Sequence, residues 1–232
     1  IMINNKKILA VIPARGGSKG IKLKNLKKIN KKSLVSIACN FVNKCSFFDY
    51  GIVSTDNEKI KKESRKNNIF VINRPKRLSG DKISDTKVLI HAVIEIEKFL
   101  RSKFDIIVML HPTSPLRKQK DVKNCINKLI KNKLNSIWTI SETDSKYHPD
   151  KQLILRDNNL DFFSKKGKRI IYRQQLSKVY HRNSVAYVVN RDYLIKNKIL
   201  IGKKTSGYII NTEQVSIDTN EDLLKARKLY KN

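Results

Sequence analysis

The sequence LAVIPARGGSKGIKLKN, at residues 9–25, decides how the rest of the chain is interpreted. It overlaps an apolar run at residues 8–12 that is typical of a buried parallel strand, and Pro13 ends that strand because proline lacks a backbone donor. The loop that follows carries three glycines among basic side chains. Glycines let a backbone approach a ligand closely, and backbone N–H groups beside cations can bind phosphate. The stretch therefore predicts a phosphate-binding loop after the first strand.

Two common phosphate loops do not fit this stretch. A P-loop has four residues between its first glycine and its Gly-Lys pair, whereas three residues separate Gly16 from Gly20, and Ile21 follows. The dinucleotide fingerprint G-x-G-x-x-G fails because Gly16 and Gly17 are adjacent. From the local sequence alone, a basic and flexible strand-to-helix turn remains an equal alternative.

The composition favours one α/β domain over the whole of residues 1–232. Hydrophobic residues make up 40% of the chain, enough for one substantial core. Strand-like runs alternate with helical patterns, which favours a mainly parallel sheet flanked by helices. No apolar stretch approaches the ~20 residues that a membrane helix requires, so no membrane span is expected.

The net charge of +30, from 50 basic and 20 acidic residues, would by itself favour a polyanionic partner. The lysines are spread over nearly every segment, however, and aromatic residues are not interleaved with them as a base-stacking surface requires. Nucleic-acid binding is therefore disfavoured as the main function.

The cysteines and histidines do not form metal-binding motifs. Cys39, Cys45 and Cys125 are odd in number and contain no C-x-x-C pair, and no signal-peptide pattern is present, so reduced thiols in the cytoplasm are expected. The four histidines lack metal-ligand spacing, which disfavours a zinc site.

Periodicity and capping signals predict the order of the elements. The predicted strands lie at residues 8–12, 51–54, 69–72, 105–110, 136–140, 184–189 and 208–210. The predicted helices lie at about residues 34–44, 58–66, 85–101, 121–132 and 220–230, with a short one after residue 189. Ser33, Asp56 or Asn57, and Thr219 with Asp222 are the expected N-terminal caps.

Residues 141–180 interrupt this alternation. They combine short apolar pairs with turn-like polar stretches and have no helical period, which predicts an excursion rich in β-hairpins. Such an arm is too short to fold alone, and a second subunit is the simplest surface for it to pack on.

Polar loops follow two of the predicted strands, where ligands of parallel sheets bind. Residues 74–81 follow the third strand, and residues 111–117 follow the fourth with two prolines that stiffen the turn. From the local sequence alone, each loop is either a ligand contact or an exposed turn. Taken alone, His111 reads as a turn residue and Asp218 as a structural residue next to a helix cap.

Several separated motifs nevertheless occur in an order that resembles the CMP-sialic acid synthetase (acylneuraminate cytidylyltransferase) family. They are IPARGGSKG…LKN at 12–25, VSTDNE at 53–58, RPxxL at 74–78, PTSPLR at 112–117, YHPDK at 147–151, RQQL at 173–176, YHRN at 180–183 and IDTNEDL at 217–223. They cover nearly the whole chain and are together specific to the family, though not to one sugar.

This resemblance implies a nucleotide-diphosphosugar-transferase-like (Rossmann-like) fold and a homodimer with a domain-swapped arm and shared active sites. It implies a cytidylyltransferase that joins CTP to a nonulosonic, sialic-type acid, releases pyrophosphate, requires Mg²⁺ and serves cell-surface polysaccharide biosynthesis. The alternatives are activation of another 3-deoxy-ulosonic acid, and a non-catalytic nucleotide- or polyanion-binding protein on the same scaffold.

The resemblance also implies roles for individual residues. Arg15, Lys24 and Asp218 would be catalytic, and Asp218 would bind the metal. The nucleotide would contact Ala14, Arg15, Gly16, Gly17, Ser18, Lys19, Lys24, Asn25, Arg74 and Asp85. The acidic keto-sugar would contact His111, Lys151, Arg173, Gln175 and Asn183, with Lys151 and Arg173 reaching into the partner's site.

The sequence departs from the family's usual pattern at four places. Ser216 replaces the first carboxylate of D-I-D-T, which should weaken or rearrange Mg²⁺ binding. His111 replaces a glutamine, and Asp85 stands where a small hydroxyl residue often contacts the nucleotide. Ser184 and Val185 replace the glycine and the alanine of N-G-A, which crowds the sugar loop and could alter which sugar fits.

Overall fold

The computed structural model describes residue 3 and residues 5–230, and strands and helices alternate along most of it. The strands are β1 (Ile8–Pro13), β2 (Lys28–Ile29), β3 (Lys32–Ser33), β4 (Tyr50–Thr55), β5 (Phe70–Asn73), β6 (Ile106–Met109), β7 (Ser136–Glu142), β8 (Leu153–Arg156), β9 (Asn159–Phe162), β10 (Tyr180–Asn190) and β11 (Thr205–Ile209). The helices are α1 (Leu34–Lys44), α2 (Glu58–Lys66), α3 (Asp85–Leu100), α4 (Gln119–Lys131), α5 (Arg191–Asn197) and α6 (Asn220–Leu229). The predicted strands and helices are confirmed, with ends that shift by a few residues.

Seven strands form the central sheet in the order β11-β7-β10-β6-β1-β4-β5. Strand β1 pairs in parallel with β4 and β6, β4 pairs in parallel with β5, and β11 pairs in parallel with β7. Strand β10 lies between β6 and β7 and is antiparallel to both. The prediction of a mainly parallel sheet is confirmed, and β10 is the exception to it.

Strand β1 shows why the first apolar run is continuous rather than alternating. Ile8, Ala10 and Ile12 pack in one cluster with side chains of α1 and α4, whereas Leu9 and Val11 pack on the opposite face with side chains of α3. All five are fully buried. A strand that helices cover on both faces must be apolar at every position, and the core therefore lies on both faces of the sheet.

The helix caps form as the sequence predicts. The Ser33 hydroxyl accepts a hydrogen bond from the Ser36 N–H, and the Asn57 side chain accepts from two N–H groups at the start of α2. At α6, the Thr219 hydroxyl and the Asp222 carboxylate make a reciprocal capping box. These local hydrogen bonds fix where each helix begins, at the sheet edge that holds the loops.

The segment between β7 and β10 has less regular structure than predicted. It contains the β8–β9 hairpin and short 3-10 turns rather than several hairpins. Its large apolar side chains include many that are exposed to solvent: Tyr147, Leu153, Leu155, Leu160, Phe162, Phe163, Ile171 and Tyr172. Packing of this arm on a second subunit stays a prediction.

Cys39, Cys45 and Cys125 are buried free thiols, and burial raises the pKa of each to about 12. Within the described part of the chain, none of the helices has the length and apolar character to cross a membrane.

Candidate active site

A cavity of about 560 Å³ opens where β1, β5 and β6 end. The predicted site residues that line it are Arg15, Ser18, Lys19, Lys24, Asn25, Arg74, Asp85, His111 and Asp218. Pro13, Gly20, Asp81, Pro112, Thr113, Ser184 and Ser216 complete the lining. The fold therefore brings most of the predicted nucleotide contacts to one place, together with the proposed metal ligand.

Carboxylates neutralise the basic side chains of the first loop. Arg15 Nη1 lies 2.8 Å from Asp81 Oδ1, and Lys19 Nζ lies 2.9 Å from Asp81 Oδ2. Hydrogen bonds from Lys19 and Arg15, with their charges, hold the pKa of Asp81 below its ordinary value. The Lys24 Nζ atom lies 2.7 Å from Asp218 Oδ1, with Lys24 mostly buried and Asp218 largely exposed. Each cation is thus held at the cavity by an anion that a phosphate could replace.

Backbone contacts fix the shape of the loop. The Ala14 N–H donates to the Ser54 carbonyl at the edge of the sheet (3.0 Å), and the Gly16 N–H donates to the Asp56 carboxylate (2.9 Å). The Asn25 amide donates to the Arg15 carbonyl (2.9 Å) and so ties the end of the loop to its start.

Three predicted nucleotide contacts, at Ala14, Gly16 and Gly17, lie outside the cavity lining. Nothing lies within 4 Å of a Cβ built at Gly17, whereas a Cβ built at Gly20 would lie 2.5 Å from the Asp218 carbonyl oxygen. Gly20 therefore permits the loop to touch the segment that carries Asp218.

Arg74 enters the cavity from the end of β5. Its Nε and Nη2 atoms donate to the hydroxyl and the carbonyl of Ser54, at 3.1 and 2.6 Å. Burial lowers the pKa of Arg74 to about 10, although the charges of Asp56 and Asp85 oppose that shift. The guanidinium is therefore a fixed, charged donor in the cavity wall.

Asp85 and His111 form a pair in the wall of the same cavity. His111 Nε2 lies 3.3 Å from Asp85 Oδ2. The His111 ring meets the Tyr187 ring edge-on at 5.4 Å, and Tyr187 stacks on Trp138 at 4.2 Å. The histidine is thus held between a carboxylate and an aromatic stack.

A bulge in β10 places Ser184 in the cavity wall. The register of β10 against β7 shifts between Arg182 and Tyr187, and Ser184 adopts a left-handed backbone with φ of 57°. Asn183 is buried, and its side chain donates to the Ser141 hydroxyl (3.0 Å) and accepts from the Val185 N–H (3.3 Å). The predicted sugar contact Asn183 therefore supports the bulge from behind, while Ser184 faces the cavity.

A family model described as cytidylyltransferase matches residues 9–232. The chain belongs to the cytidylyltransferase family. The resemblance to the sialic-type CMP-sugar synthetases within it is confirmed by named relatives.

Two of these relatives come from Campylobacter jejuni. A pseudaminic acid cytidylyltransferase is 30% identical over 97% of this chain and 97% of its own length. A CMP-N,N'-diacetyllegionaminic acid synthase is 29% identical over 93% of this chain and 91% of its own. Among solved structures, a CMP:2-keto-3-deoxy-manno-octonic acid synthetase complexed with CTP has a TM-score of 0.72 at 17% identity, with 96% and 98% of the two chains covered. That likeness confirms the nucleotidyltransferase fold.

The predicted site residues of the arm lie apart from the cavity of this cytidylyltransferase. Lys151 and Arg173 line a smaller cavity within the arm itself. The Gln175 side chain accepts hydrogen bonds from the N–H groups of Ile171 and Tyr172, at 2.8 and 2.9 Å. The contribution of the arm to a sugar site stays a prediction.

The donor set at Asp218 fits a magnesium ion whose other ligands come from phosphate and water. Magnesium is commonly bound by one or two carboxylates plus substrate phosphates. Asp218 is largely exposed and lines the cavity with Ser216, a weaker oxygen donor. In residues 3 and 5–230, no three His, Cys, Asp or Glu side chains form a cluster able to hold an ion.

Two carboxylates of the cytidylyltransferase site are absent from the residues that the sequence predicts for it. Asp81 holds Arg15 and Lys19, and Asp56 holds the Gly16 N–H instead of capping α2. Asp56 follows β4, the neighbour of β1, and Asp81 lies in the loop after β5, the next strand of the sheet. An acidic residue at that edge of the sheet, beside a basic loop, is a signal that could have identified both.

Proposed function

We propose that this cytidylyltransferase transfers CMP from CTP to a nonulosonic, sialic-type acid and releases pyrophosphate. The observation that carries the proposal is the cavity that gathers Arg15, Lys19, Lys24 and Arg74 beside the glycine loop at the ends of parallel strands. Family membership selects cytidylyl transfer among the reactions that such a cavity could perform. Relatives named for pseudaminic and legionaminic acids support the substrate class.

In the proposed reaction, a hydroxyl oxygen of the acidic sugar attacks the α-phosphorus of CTP in line. The new O–P bond forms as the bond from the α-phosphorus to the bridging oxygen breaks, pyrophosphate leaves with that electron pair, and the hydroxyl proton passes to solvent. Such a transfer depends mainly on positioning and on neutralising phosphate charge. Arg15 and Lys24 supply that charge from opposite ends of the loop.

Binding of CTP would exchange the carboxylate partners of the loop for phosphate oxygens. Arg15 and Lys19 hold Asp81, and Lys24 holds Asp218. The Asp81 and Asp218 side chains are 39% and 74% exposed, so water and salt screen these pairs and a triphosphate can displace the carboxylates. The pairs keep the cations oriented before the ligand arrives.

We propose that Asp218 holds Mg²⁺ together with the phosphates of CTP. The ion would neutralise charge on the phosphates when bound. Release of Asp218 from Lys24 would free the carboxylate for the ion and the ammonium for a phosphate. Because Ser216 contributes no charge, the site should need bound nucleotide to hold the metal firmly.

We also propose a cytoplasmic homodimer in which the arm covers a second copy. The exposed apolar side chains of residues 147–172 would become buried in it, and Lys151 and Arg173 would approach the partner's cavity. Buried free thiols fit a reducing compartment.

Light scattering of the wild type and of Leu155→Asp tests the dimer, with Leu224→Asp, at an exposed leucine of α6, as control. If the Leu155→Asp variant were still a dimer, the surface around Leu155 would not be part of the interface.

Pyrophosphate release tests the activity. The assay contains CTP, Mg²⁺ and a panel of N-acetylneuraminic, legionaminic, pseudaminic and 2-keto-3-deoxy-manno-octonic acids. We expect release with at least one nonulosonic acid, and highest turnover with the octonic acid would favour the smaller-sugar alternative. No release with any sugar, combined with salt-sensitive RNA binding, would refute the enzyme assignment.

Two variants test the assigned roles. Arg15→Ala and Asp218→Ala should each abolish turnover without unfolding the protein, and Arg65→Ala on α2 and Asp192→Ala on α5 are the matched controls. Retained turnover in either site variant would remove the role of that residue.

A further inference from the structure

The loop after β6 contributes to two cavities. Residues 111–113 line the active-site cavity, whereas residues 115–118 line a second cavity of about 510 Å³. Helix α1, residues 212–214 and the end of α6 supply most of its other walls, and none of the described residues lines both cavities. We call the second one the α1–α6 cavity. Its volume is typical of a small-molecule site.

Arg117 is a buried cation in the wall of the α1–α6 cavity. The residue is 8% exposed, its Nε atom donates to the Val185 carbonyl at 3.2 Å, and its Nη2 atom donates to the His111 carbonyl. Its Nη1 atom has no acceptor, and no carboxylate pairs with the guanidinium, among residues 3 and 5–230. Burial lowers the pKa of Arg117 to about 9, so the group is still charged at neutral pH. Buried charges are normally paired, and this one lacks an anion.

Gln214 contributes a buried acceptor to the same cavity. Its Nε2 atom donates to the Thr212 hydroxyl at 3.1 Å, which fixes the orientation of the amide. Its Oε1 atom is buried and has no hydrogen-bond partner in the described part of the chain. A buried oxygen without a donor is unfavourable, so a ligand that supplies an N–H or O–H group there gains affinity.

Charge and apolar surface complete the cavity. Three exposed lysines line it, at Lys32, Lys44 and Lys118. The one carboxylate of the described lining, Glu213, already pairs with Lys225 at 2.7 Å. The apolar wall consists of Ile37, Phe41, Leu116, Leu229 and Tyr230. The cavity therefore offers an excess of positive charge beside an apolar surface.

We propose that the α1–α6 cavity binds an organic phosphate. The phosphate group is held by Arg117 with Lys44 and Lys118, a ring or chain packs on the apolar wall, and an N–H or O–H group of the ligand donates to Gln214 Oε1. Several cations around one anion favour a phosphate over a singly charged carboxylate. This site is separate from the active-site cavity, and its occupancy does not depend on the proposed function.

Arg117 also connects this site to the active-site cavity. Its two carbonyl partners belong to His111, which lines the active-site cavity, and to Val185, which follows the cavity residue Ser184. A phosphate at Nη1 competes with these carbonyls for the guanidinium. Occupancy of the α1–α6 cavity should therefore loosen the active-site wall and lower kcat.

Calorimetric titration with phenyl phosphate tests the binding site. The dissociation constant should be about tenfold higher in Lys44→Met/Lys118→Met than in the wild type, because each exposed cation contributes up to about fivefold. Lys59→Met/Lys62→Met, which removes the same charge from exposed positions of α2, should keep the wild-type affinity. Inorganic phosphate should bind at least about tenfold more weakly, since it leaves the apolar wall uncovered, and equal affinity would refute an organic ligand.

Three further measurements locate the probe. Arg15→Ala, in the active-site cavity, should bind phenyl phosphate with the wild-type affinity. A crystal structure with the probe should place its phosphate within hydrogen-bond distance of Arg117. 4-Aminophenyl phosphate, which adds an N–H donor, should bind the wild type more tightly than phenyl phosphate does, and Gln214→Leu should remove that difference. Equal affinities of the wild type for the two probes would remove Gln214 from the site. No binding by the wild type, or a loss confined to Arg15→Ala, would overturn the inference.

Pyrophosphate release measures the coupling, and this part rests on the proposed function. Phenyl phosphate should lower kcat without raising the KM for CTP, and Lys44→Met/Lys118→Met should relieve the inhibition. Inhibition that excess CTP overcomes would place the probe in the active-site cavity and overturn the inference, whereas an unchanged kcat at saturating probe would refute the coupling. Binding of phenyl phosphate by a protein that releases no pyrophosphate with any sugar would refute the proposed function alone.

Discussion

Replacing Gly20 by alanine should damage the site through one backbone contact. The added Cβ would lie 2.5 Å from the Asp218 carbonyl oxygen, and real Cβ atoms essentially never approach closer than 3.0 Å. One of the two segments must therefore move by at least about 0.5 Å, which is the difference between the 2.5 Å contact and the 3.0 Å limit.

The Asp218 segment is the less able to move. The Ile217 N–H donates to the Thr113 carbonyl at 2.9 Å, and Ile217 is fully buried. The Asp222 carboxylate accepts from the N–H groups of Asp218 and Thr219 at 2.9 and 2.8 Å. The glycine loop should therefore be the part that shifts, and it carries the proposed phosphate contacts.

The expected cost follows from that shift. A displacement of 1 Å in an active site can lower the reaction rate about 10²-fold, so kcat/KM for CTP should fall about tenfold to hundredfold. Overpacking of this kind costs about 1–3 kcal/mol, which lowers Tm by about 2–4 °C for each kcal/mol in a chain of this size. Pyrophosphate release and differential scanning calorimetry measure the two effects.

Gly80→Ala is the matched control. The nearest atom to a Cβ at Gly80 is a side-chain carbon of Ile83 at 3.8 Å, an ordinary contact. The described glycines have no positive φ, so backbone strain does not separate the two variants. Wild-type kinetics in Gly20→Ala, or an equal loss in Gly80→Ala, would refute the reasoning.

Two further predictions concern stability. Arg191→Met should lower the free energy of unfolding by about 3–5 kcal/mol, because the Glu97 carboxylate is only 8% exposed and would lose the cation that lies 2.7 Å from it. Lys225→Met, which removes an exposed ion pair, should lower it by less than about 1 kcal/mol. Equal urea midpoints for the two variants would contradict this prediction. Glu63→Gln should flatten the loss of stability in acid. The hydrogen bond from Ser36 lowers the pKa of Glu63 in the folded state, so its contribution is present above the ordinary pKa of 4.5 and is lost as the pH falls through the lower folded pKa. Chemical unfolding at pH 3 to 6 measures this, and parallel curves for the variant and the wild type would contradict it.

The sequence alone determined the local architecture. Apolar runs marked the strands, and Ser33, Asn57 and Thr219 marked the starts of helices, because each of these signals acts through hydrogen bonds within a few residues. The glycine-rich loop was placed at the end of β1 for the same reason. Its motifs also gave the family, since the residue types and their order are properties of the chain itself.

Only the tertiary structure decided which side chains meet. The partners Lys24 and Asp218 are 194 residues apart, and Arg15 and Asp81 come from loops after different strands. Periodicity also could not show that β10 inserts antiparallel between β6 and β7, with the bulge that turns Ser184 into the cavity. The period of the hydrophobic residues shows which face of a helix or strand is buried. It does not show which charged side chains meet, because that depends on which loops the packing of the whole fold brings to one edge of the sheet.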